Sequence, residues 1–194
     1  MSEIAKRIDA IISNGLASAL KAKGFRKKAR NFYREFDDRV EVVNIQASTS
    51  NLGDEGKFTI NVGVYYPSVA DLTGRSALKG MPKEYQCTVR EHIGYIGEPK
   101  SDHWWEVGKD ISDQTISAEV SRQVEAKILP WLQSMSRLES VKNAVAAITP
   151  LLASAISLFL GNQAEAKTYL AEAIERKPLA GSKATAWGKK HGLL

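Results

Sequence analysis

The hydrophobic positions of the first 23 residues have helical spacing. They recur at intervals of three and four and form one apolar stripe, made of Ile4, Ile8, Ile11, Ile12, Leu16, Ala19 and Leu20. Ser2 can cap the start of such a helix, and Gly24 can end it in the left-handed conformation that glycine favours. The pattern therefore predicts a helix from about Ser2 to Lys23.

The pattern then changes to the alternation that is typical of β-strands. The clearest strand is Lys57 to Tyr66, which Pro67 ends. The other predicted strands are Asn31–Phe36, Val40–Ser48, Glu84–Val89 and Trp104–Val107. Turns are predicted at Asp37-Asp38 and at NLGDEG, residues 51–56. Short links favour antiparallel pairing, because parallel strands need long crossovers.

The C-terminal part has helical periodicity again. Its first stripe is Ile116, Val120, Val124 and Ile128, and Pro130 is expected to end or kink that helix at Leu129. The further predicted helices carry Val141, Val145 and Ile148, then span Leu151–Leu160, and finally Asn162–Arg176, the last full helix. The fold class is therefore α+β: an N-terminal helix, a largely antiparallel sheet of about four or five strands, and C-terminal helices. We expect an α+β domain over residues 1–135 and a helical extension over residues 136–194.

One uncharged run, residues 143–164, is long enough to span a bilayer. Pro150 and Gly161 divide it into shorter pieces, which favours a buried helical hairpin over a membrane segment. We expect no membrane association. The first residues lack the form of a signal peptide, and Cys87 is the single cysteine, which together favour a cytoplasmic protein.

The net charge of +5 is unevenly distributed. Residues 1–40 carry ten basic and five acidic side chains, and residues 182–194 carry three basic side chains and no acidic one. The segment between them carries 14 basic and 17 acidic side chains. A nucleic-acid-binding domain is expected to have a basic field over a whole face, which this distribution does not favour.

The stretches GFRKKARNFYRE, VEVVNIQAS and KFTINVGVYYP resemble, in order and spacing, the bacterial domain-of-unknown-function family 4304 over about residues 1–125. The matching positions are Gly24, Phe25, Phe32, Tyr33, Gln46, Phe58, Gly63 and Pro67. The resemblance implies an α+β domain, and because the family's function is not established it supplies no activity and no catalytic residue. Near residues 150–178, the spacing of Gly161, Ala166, Ala173 and Pro178 is similar to half of a tetratricopeptide repeat, and a single antiparallel helix pair accounts for it.

The residues that could carry chemistry do not form a recognised motif. Cys87 and His92 are an odd number of positions apart, which would place them on opposite faces of one strand. His92, His103, Glu91, Asp102 and Glu106 lack the close spacing of a metal site, and the glycines lack the context of a phosphate loop. We therefore predict no catalytic residue, no cofactor and no metal.

Two features remain as a possible interaction surface. The tract from Lys21 to Arg34 holds seven basic and no acidic side chains, and Arg26, Lys27, Lys28 and Arg30 in it are expected to form a compact basic connector, with Arg34 further along the strand. Trp104 and Trp105 are adjacent on a strand, so that they must face opposite sides and one ring can be exposed, unless helices cover both faces.

Three hypotheses follow. The leading one is a cytoplasmic, non-enzymatic protein that works through contact with another protein, without a cofactor. The first alternative is weak, sequence-independent binding of nucleic acid by the basic connector. The second is an enzyme or small-ligand binder with a cleft near Cys87, His92, His103 and Trp104.

Overall fold

The computed structural model describes residues 2–74, 78–176 and 178–194. The chain divides into two compact units, which are Met1–Tyr65 with Gly80–Gln133, and Tyr66–Lys79 with Ser134–Leu194. The first unit contains a helix, an antiparallel sheet and a second long helix, and the second contains helices. The predicted α+β class is confirmed, with six strands in the sheet.

The N-terminal helix α1 is continuous but not uniform. It is α-helical over Glu3–Ile11, π-helical over Ile12–Leu16 and α-helical again over Ala17–Ala22. Gly24, with a φ of +87°, follows it, and the N–H groups of Gly24 and Phe25 donate to the carbonyls of Lys21 and Leu20. These two bonds are the Schellman motif, so the predicted role of Gly24 is confirmed.

The sheet has the order β1-β2-β3-β4-β5, and every pairing is antiparallel. Strand β6 pairs with the first part of β4, and β5 pairs with its second part. The strands are β1 Arg26–Lys28, β2 Asn31–Glu35, β3 Val40–Ala47, β4 Gly56–Tyr65, β5 Val89–His92 and β6 Trp105–Val107. The turns predicted at 37–38 and 51–56 connect β2 to β3 and β3 to β4.

One face of the sheet belongs to the core. Its side chains on β4, which are Phe58, Ile60, Val62 and Val64, are fully buried, as are Ile8 and Leu16 of α1. Asp9 of α1 accepts a hydrogen bond from Arg30, and Ser13 accepts one from Lys27, so α1 runs along this sheet. Burial of this apolar face is the main favourable contribution to folding of the first unit.

The prediction of a strand at Glu84–Val89 is wrong. Residues Glu84–Gln86 form a 3₁₀ turn, and the strand at this place is β5, Val89–His92. The side-chain oxygen of Gln86 accepts a hydrogen bond from the N–H of Lys83, and this local bond stabilises the turn. A second 3₁₀ turn, Ile93–Tyr95, follows β5.

Helix α3 passes through its proline. It is α-helical over Asp113–Gln123, π-helical over Val124–Ile128 and α-helical over Leu129–Ser134. Of the two outcomes predicted at Pro130, an end or a kink, the end at Leu129 therefore does not occur. Pro130 lacks an N–H group, and the wider π turn just before it changes the hydrogen-bond pattern where that donor is missing.

The second unit begins with the short helix α2, Pro67–Leu72, and continues with four successive helices. These are α4 Leu138–Ala146, α5 Pro150–Phe159, α6 Gln163–Arg176 and α7 Pro178–Lys190. Ala166 and Leu170 of α6 pack with Ala184 of α7 in a buried cluster. Helix α7 contradicts the prediction that residues 162–176 form the last full helix. In the described part of the chain, no helix combines the length and the hydropathy that crossing a membrane requires.

Candidate functional site

The predicted basic connector is instead a strand at the edge of the sheet. Arg26, Lys27 and Lys28 form β1, which pairs with β2 on one side only, and all three side chains are exposed. Ala29, with a φ of +54°, lies in the tight turn into β2. A short edge strand with charged side chains protects a sheet from pairing with another chain, so this tract has a structural role.

Two other cations of the tract hold the fold together. The guanidinium of Arg30 donates to Asp9 at 2.7 Å and to the carbonyl of Ala5 at 3.0 Å. Arg34 donates to Glu41 at 2.8 Å on the core side of the sheet. Burial raises the pKa of Glu41, and the neighbouring arginines oppose that shift. Arg30 and Arg34 are therefore structural side chains rather than a free binding surface.

The two tryptophans lie on opposite sides of the sheet, as the alternation predicts. Trp105 is buried and stacks on Phe58, with 5.4 Å between the ring centroids. Trp104 is half-buried, and its indole N–H donates to Asp102 at 2.9 Å. The ammonium of Lys57 lies 5.3 Å from the centre of the Trp104 ring. Of this pair, Trp104 is the ring that solvent reaches.

Cys87 and His92 do not form a nucleophile–base pair. Cys87 lies against Gly63 of β4, and His92 Nε2 is 2.7 Å from Thr59 Oγ1 on the same strand. Four residues of extended chain separate these two points, which corresponds to about 13 Å. Burial raises the pKa of the Cys87 thiol far above its ordinary value, so that the reactive thiolate is disfavoured.

The hydrogen bonds of His92 use both ring nitrogens. The N–H of Gly94 donates to Nδ1 at 3.0 Å, so Nε2 carries the proton and donates to Thr59 Oγ1. The Thr59 hydroxyl in turn donates to the carbonyl of His103 at 2.7 Å. This chain of bonds fixes the loop that follows β5, and it leaves His92 without a free lone pair for proton abstraction.

The feature that the sequence analysis missed is a row of polar side chains on the sheet face opposite α1. The strand register aligns Lys28 with Asn31, Asn31 with Asn44, Asn44 with Asn61, and Asn61 with His92. We call Asn31, Asn44 and Asn61 the asparagine row. Asparagine is depleted in strands because it fits a pleated surface poorly. Three aligned asparagines in adjacent strands therefore call for a reason other than strand propensity.

The amides of the row are tied together in pairs. The Asn44 amide donates to the Asn31 side-chain oxygen at 2.8 Å, and the Asn61 amide donates to Gln46 at 2.7 Å. Each amide group offers two donors and two acceptor positions, so each of the four side chains keeps hydrogen-bonding capacity beyond these bonds. The bonds orient the amides, and the three asparagines are half-buried whereas Gln46 is exposed.

A cavity of about 720 Å³ lies on this face and is lined by residues of the first unit. Asn31, Asn44 and Gln46 line it, together with Tyr33. Its rim includes Tyr85, which is 62% exposed. The charged side chains of the lining are Lys28, Lys83, Arg90 and Glu84. Three cations and one carboxylate give the lining a positive character, which suits an anionic ligand.

Among the residues that the structure describes, no comparable arrangement for a metal is found. In the residues it describes, no group of three His, Cys, Asp or Glu side chains is placed to hold an ion. Glu91 is on the core side of β5 by its register with Val62, whereas His92 faces the other way with Asn61. The predicted metal candidates are thus divided between the two faces of the sheet.

A sequence signal for the asparagine row did exist. Asn44 and Asn61 interrupt two strands that are rich in β-branched residues. The alternation within β4 also places Asn61 on the face away from Phe58. What the sequence lacks is the register, because only the observed pairing brings asparagines from three strands side by side.

Comparison with known proteins identifies the family. A family model described as Domain of unknown function (DUF4304) matches residues 16–134. The match covers more than half of the chain, so the chain belongs to this family, and the resemblance predicted from its sequence is confirmed. No curated protein and no solved structure matches the chain.

Proposed function

We propose that this protein is a non-enzymatic, cytoplasmic interaction module that binds an acidic segment of another protein. The binding surface is the asparagine row with its neighbours Lys28 and Gln46, which we call the asparagine face. The observation that carries the proposal is the alignment of Asn31, Asn44 and Asn61 across β2, β3 and β4.

The amide chemistry supports a peptide as the ligand. A polypeptide backbone presents alternating N–H and C=O groups, and an asparagine side chain can accept from the first and donate to the second. Amides held in place by the Asn44–Asn31 and Asn61–Gln46 hydrogen bonds are already oriented, which lowers the entropic cost of binding.

The charges support an acidic partner. Lys28 is exposed at the end of the row, and among the described residues it has neither a hydrogen-bonded nor an ion-paired partner. Lys83 and Arg90 lie on the same cavity, and Glu84 is the carboxylate among its lining residues. Complementary charge of this kind favours encounter and orientation of an acidic segment.

The same charges argue against nucleic acid as the first choice. Single-stranded nucleic acid needs a basic track that follows a phosphate at every nucleotide. Here the cations are interrupted by carboxylates, because Glu84 pairs with Arg90 and Asp102 lies beside His92 of β5. Arg30 and Arg34 of the basic tract are engaged in the fold, which leaves fewer contacts for phosphates.

The proposal is tested by co-purification of the tagged protein from its native cells at physiological salt, with and without nuclease. The test variant is Asn31→Thr/Asn44→Thr, which changes two members of the row and keeps the surface polar. The matched control is Lys6→Gln, an exposed position on α1. We expect a stoichiometric protein partner that survives nuclease, remains with Lys6→Gln and is lost with the double variant.

Two results would contradict the proposal. A partner that the double variant retains at full occupancy would bind elsewhere on the chain. Bound material that disappears on nuclease treatment would favour the nucleic-acid hypothesis instead.

A further inference from the structure

The cavity beside the asparagine row gathers cations from three separate elements. Lys28 belongs to the edge strand β1, Lys83 precedes the 3₁₀ turn Glu84–Gln86, and Arg90 belongs to β5. All three line the one cavity over Asn31 and Asn44. Lys83 and Arg90 are 55 or more positions after Lys28 along the chain. The fold therefore brings them to one cavity, and a basic stretch of sequence does not.

Arg90 is held in place at this cavity. Its guanidinium donates to Glu84 at 3.2 Å, and the Glu84 side chain is only 13% exposed, whereas that of Arg90 is 59% exposed. A guanidinium has five N–H donors, so the bond to Glu84 leaves donors that can bind a ligand. The Lys83 ammonium lies 5.7 Å from the centre of the Tyr85 ring, which places it at the rim.

We propose that this cavity is the anchor for the carboxylate side chains, Asp or Glu, of the acidic segment, and that Lys28, Lys83 and Arg90 are the cations that bind them. This inference rests on the proposed function and specifies how the segment is placed. Asn31 and Asn44 also line the cavity, and the asparagine row continues from it across the sheet.

The dimensions of the face set the length of the segment. The register runs from Lys28 on β1 to His92 on β5, which is four strand spacings or about 19 Å. An extended chain advances about 3.3 Å per residue, so about six residues cover the face. The segment therefore has the size of a hexapeptide.

The test is an NMR titration of the full chain with a capped hexapeptide of glutamate. The side-chain NH₂ signals of Asn31, Asn44 and Gln46 report directly on the cavity. A capped hexapeptide of glutamine is the matched probe without charge, and an oligothymidylate is the competing anion. Lys28→Gln and Lys83→Gln are the test variants, and Lys6→Gln on α1 is the control.

We expect the glutamate peptide to shift these side-chain signals and the glutamine peptide to bind at least tenfold more weakly. Lys28→Gln and Lys83→Gln should each weaken binding about two- to fivefold, the effect of an exposed ion pair, while Lys6→Gln should not. Equal effects of all three variants, unmoved amide signals, or tighter binding of the oligothymidylate would each overturn the anchor. If the anchor fails while the co-purified partner still depends on Asn31 and Asn44, the proposed function stands without it.

Discussion

The asparagine row should lower the stability of the sheet, and this can be measured. If Asn31 and Asn44 are present for binding, the change Asn31→Thr/Asn44→Thr should raise the free energy of unfolding. The double change removes both partners of the 2.8 Å hydrogen bond, so that no amide is left unpaired by the loss of its neighbour.

The magnitude follows from three contributions. Loss of the hydrogen bond costs about 1 kcal/mol. Threonine has a higher β-strand propensity than asparagine, and the propensity scale spans about 1 kcal/mol per residue. Two such changes therefore raise the free energy of unfolding by up to about 1.5 kcal/mol. A cross-strand threonine pair adds about 0.5 kcal/mol, because Asn31 and Asn44 are directly opposed. The expected net gain is about 1 kcal/mol.

The assay is urea denaturation followed by tryptophan fluorescence. With a slope of about 2 kcal/mol per M, a gain of 1 kcal/mol raises the midpoint by about 0.5 M. The control is Arg34→Gln on the opposite face, which removes the main partner of the buried Glu41 carboxylate. The buried carboxylate then keeps only its 3.6 Å contact with Arg39, so the control should lower stability by about 2 kcal/mol.

A loss of 1 kcal/mol or more in Asn31→Thr/Asn44→Thr would refute the reasoning. It would mean that the asparagines stabilise the sheet itself, as the Arg34–Glu41 pair does. Their alignment would then carry no information about a ligand.

Three further predictions concern the frame of the site. Gly15→Ala should destabilise the fold by about 2–3 kcal/mol in the same urea assay. The added methyl group would lie 2.7 Å from the Ser117 carbonyl, where α1 meets α3. Unchanged stability would mean that the two helices can separate there. Ala29→Gly should stabilise by about 0.5–1 kcal/mol in thermal denaturation, because glycine adopts the positive φ of this turn freely, and a loss would contradict that account. Burial lowers the pKa of His103, which packs on Trp105. The stability that neutral His103 contributes is therefore present above about pH 6.5 and is lost as the pH falls below that value. His103→Gln should reduce the fall in the urea midpoint between pH 7.5 and 5.5, and an identical fall would exclude His103 as the cause.

The elements that the sequence predicted correctly are those whose local residue pattern agrees with the contacts they make in the fold. Helix α1 and strand β4 have strong periodicity, and Gly24 ends α1 as expected. Strand β1 was missed because three consecutive basic residues have little strand propensity, and only pairing with β2 makes them a strand. Helix α7 was missed because it contains Gly181 and Gly188, which disfavour a helix locally.

The candidate site was the least predictable part for a related reason. Each asparagine of the row is a single polar residue in its own strand, and the row forms only when the register aligns the three strands. The convergence of Lys28, Lys83 and Arg90 likewise depends on where the 3₁₀ turn Glu84–Gln86 lies over the sheet. Such relations are long-range, and local patterns in the sequence do not contain them.

The most direct measurement of the central claim is site-specific photo-crosslinking in the native cells. A photoreactive phenylalanine replaces Gln46, which is exposed on the asparagine face, and in a second protein it replaces Ser18, which is exposed on α1. We expect position 46 to capture one protein through an acidic segment, position 18 not to capture it, and Asn31→Thr/Asn44→Thr to abolish the adduct. Capture of the same protein from position 18, or an adduct at position 46 that the double variant leaves unchanged, would contradict the claim that the asparagine face is the binding surface.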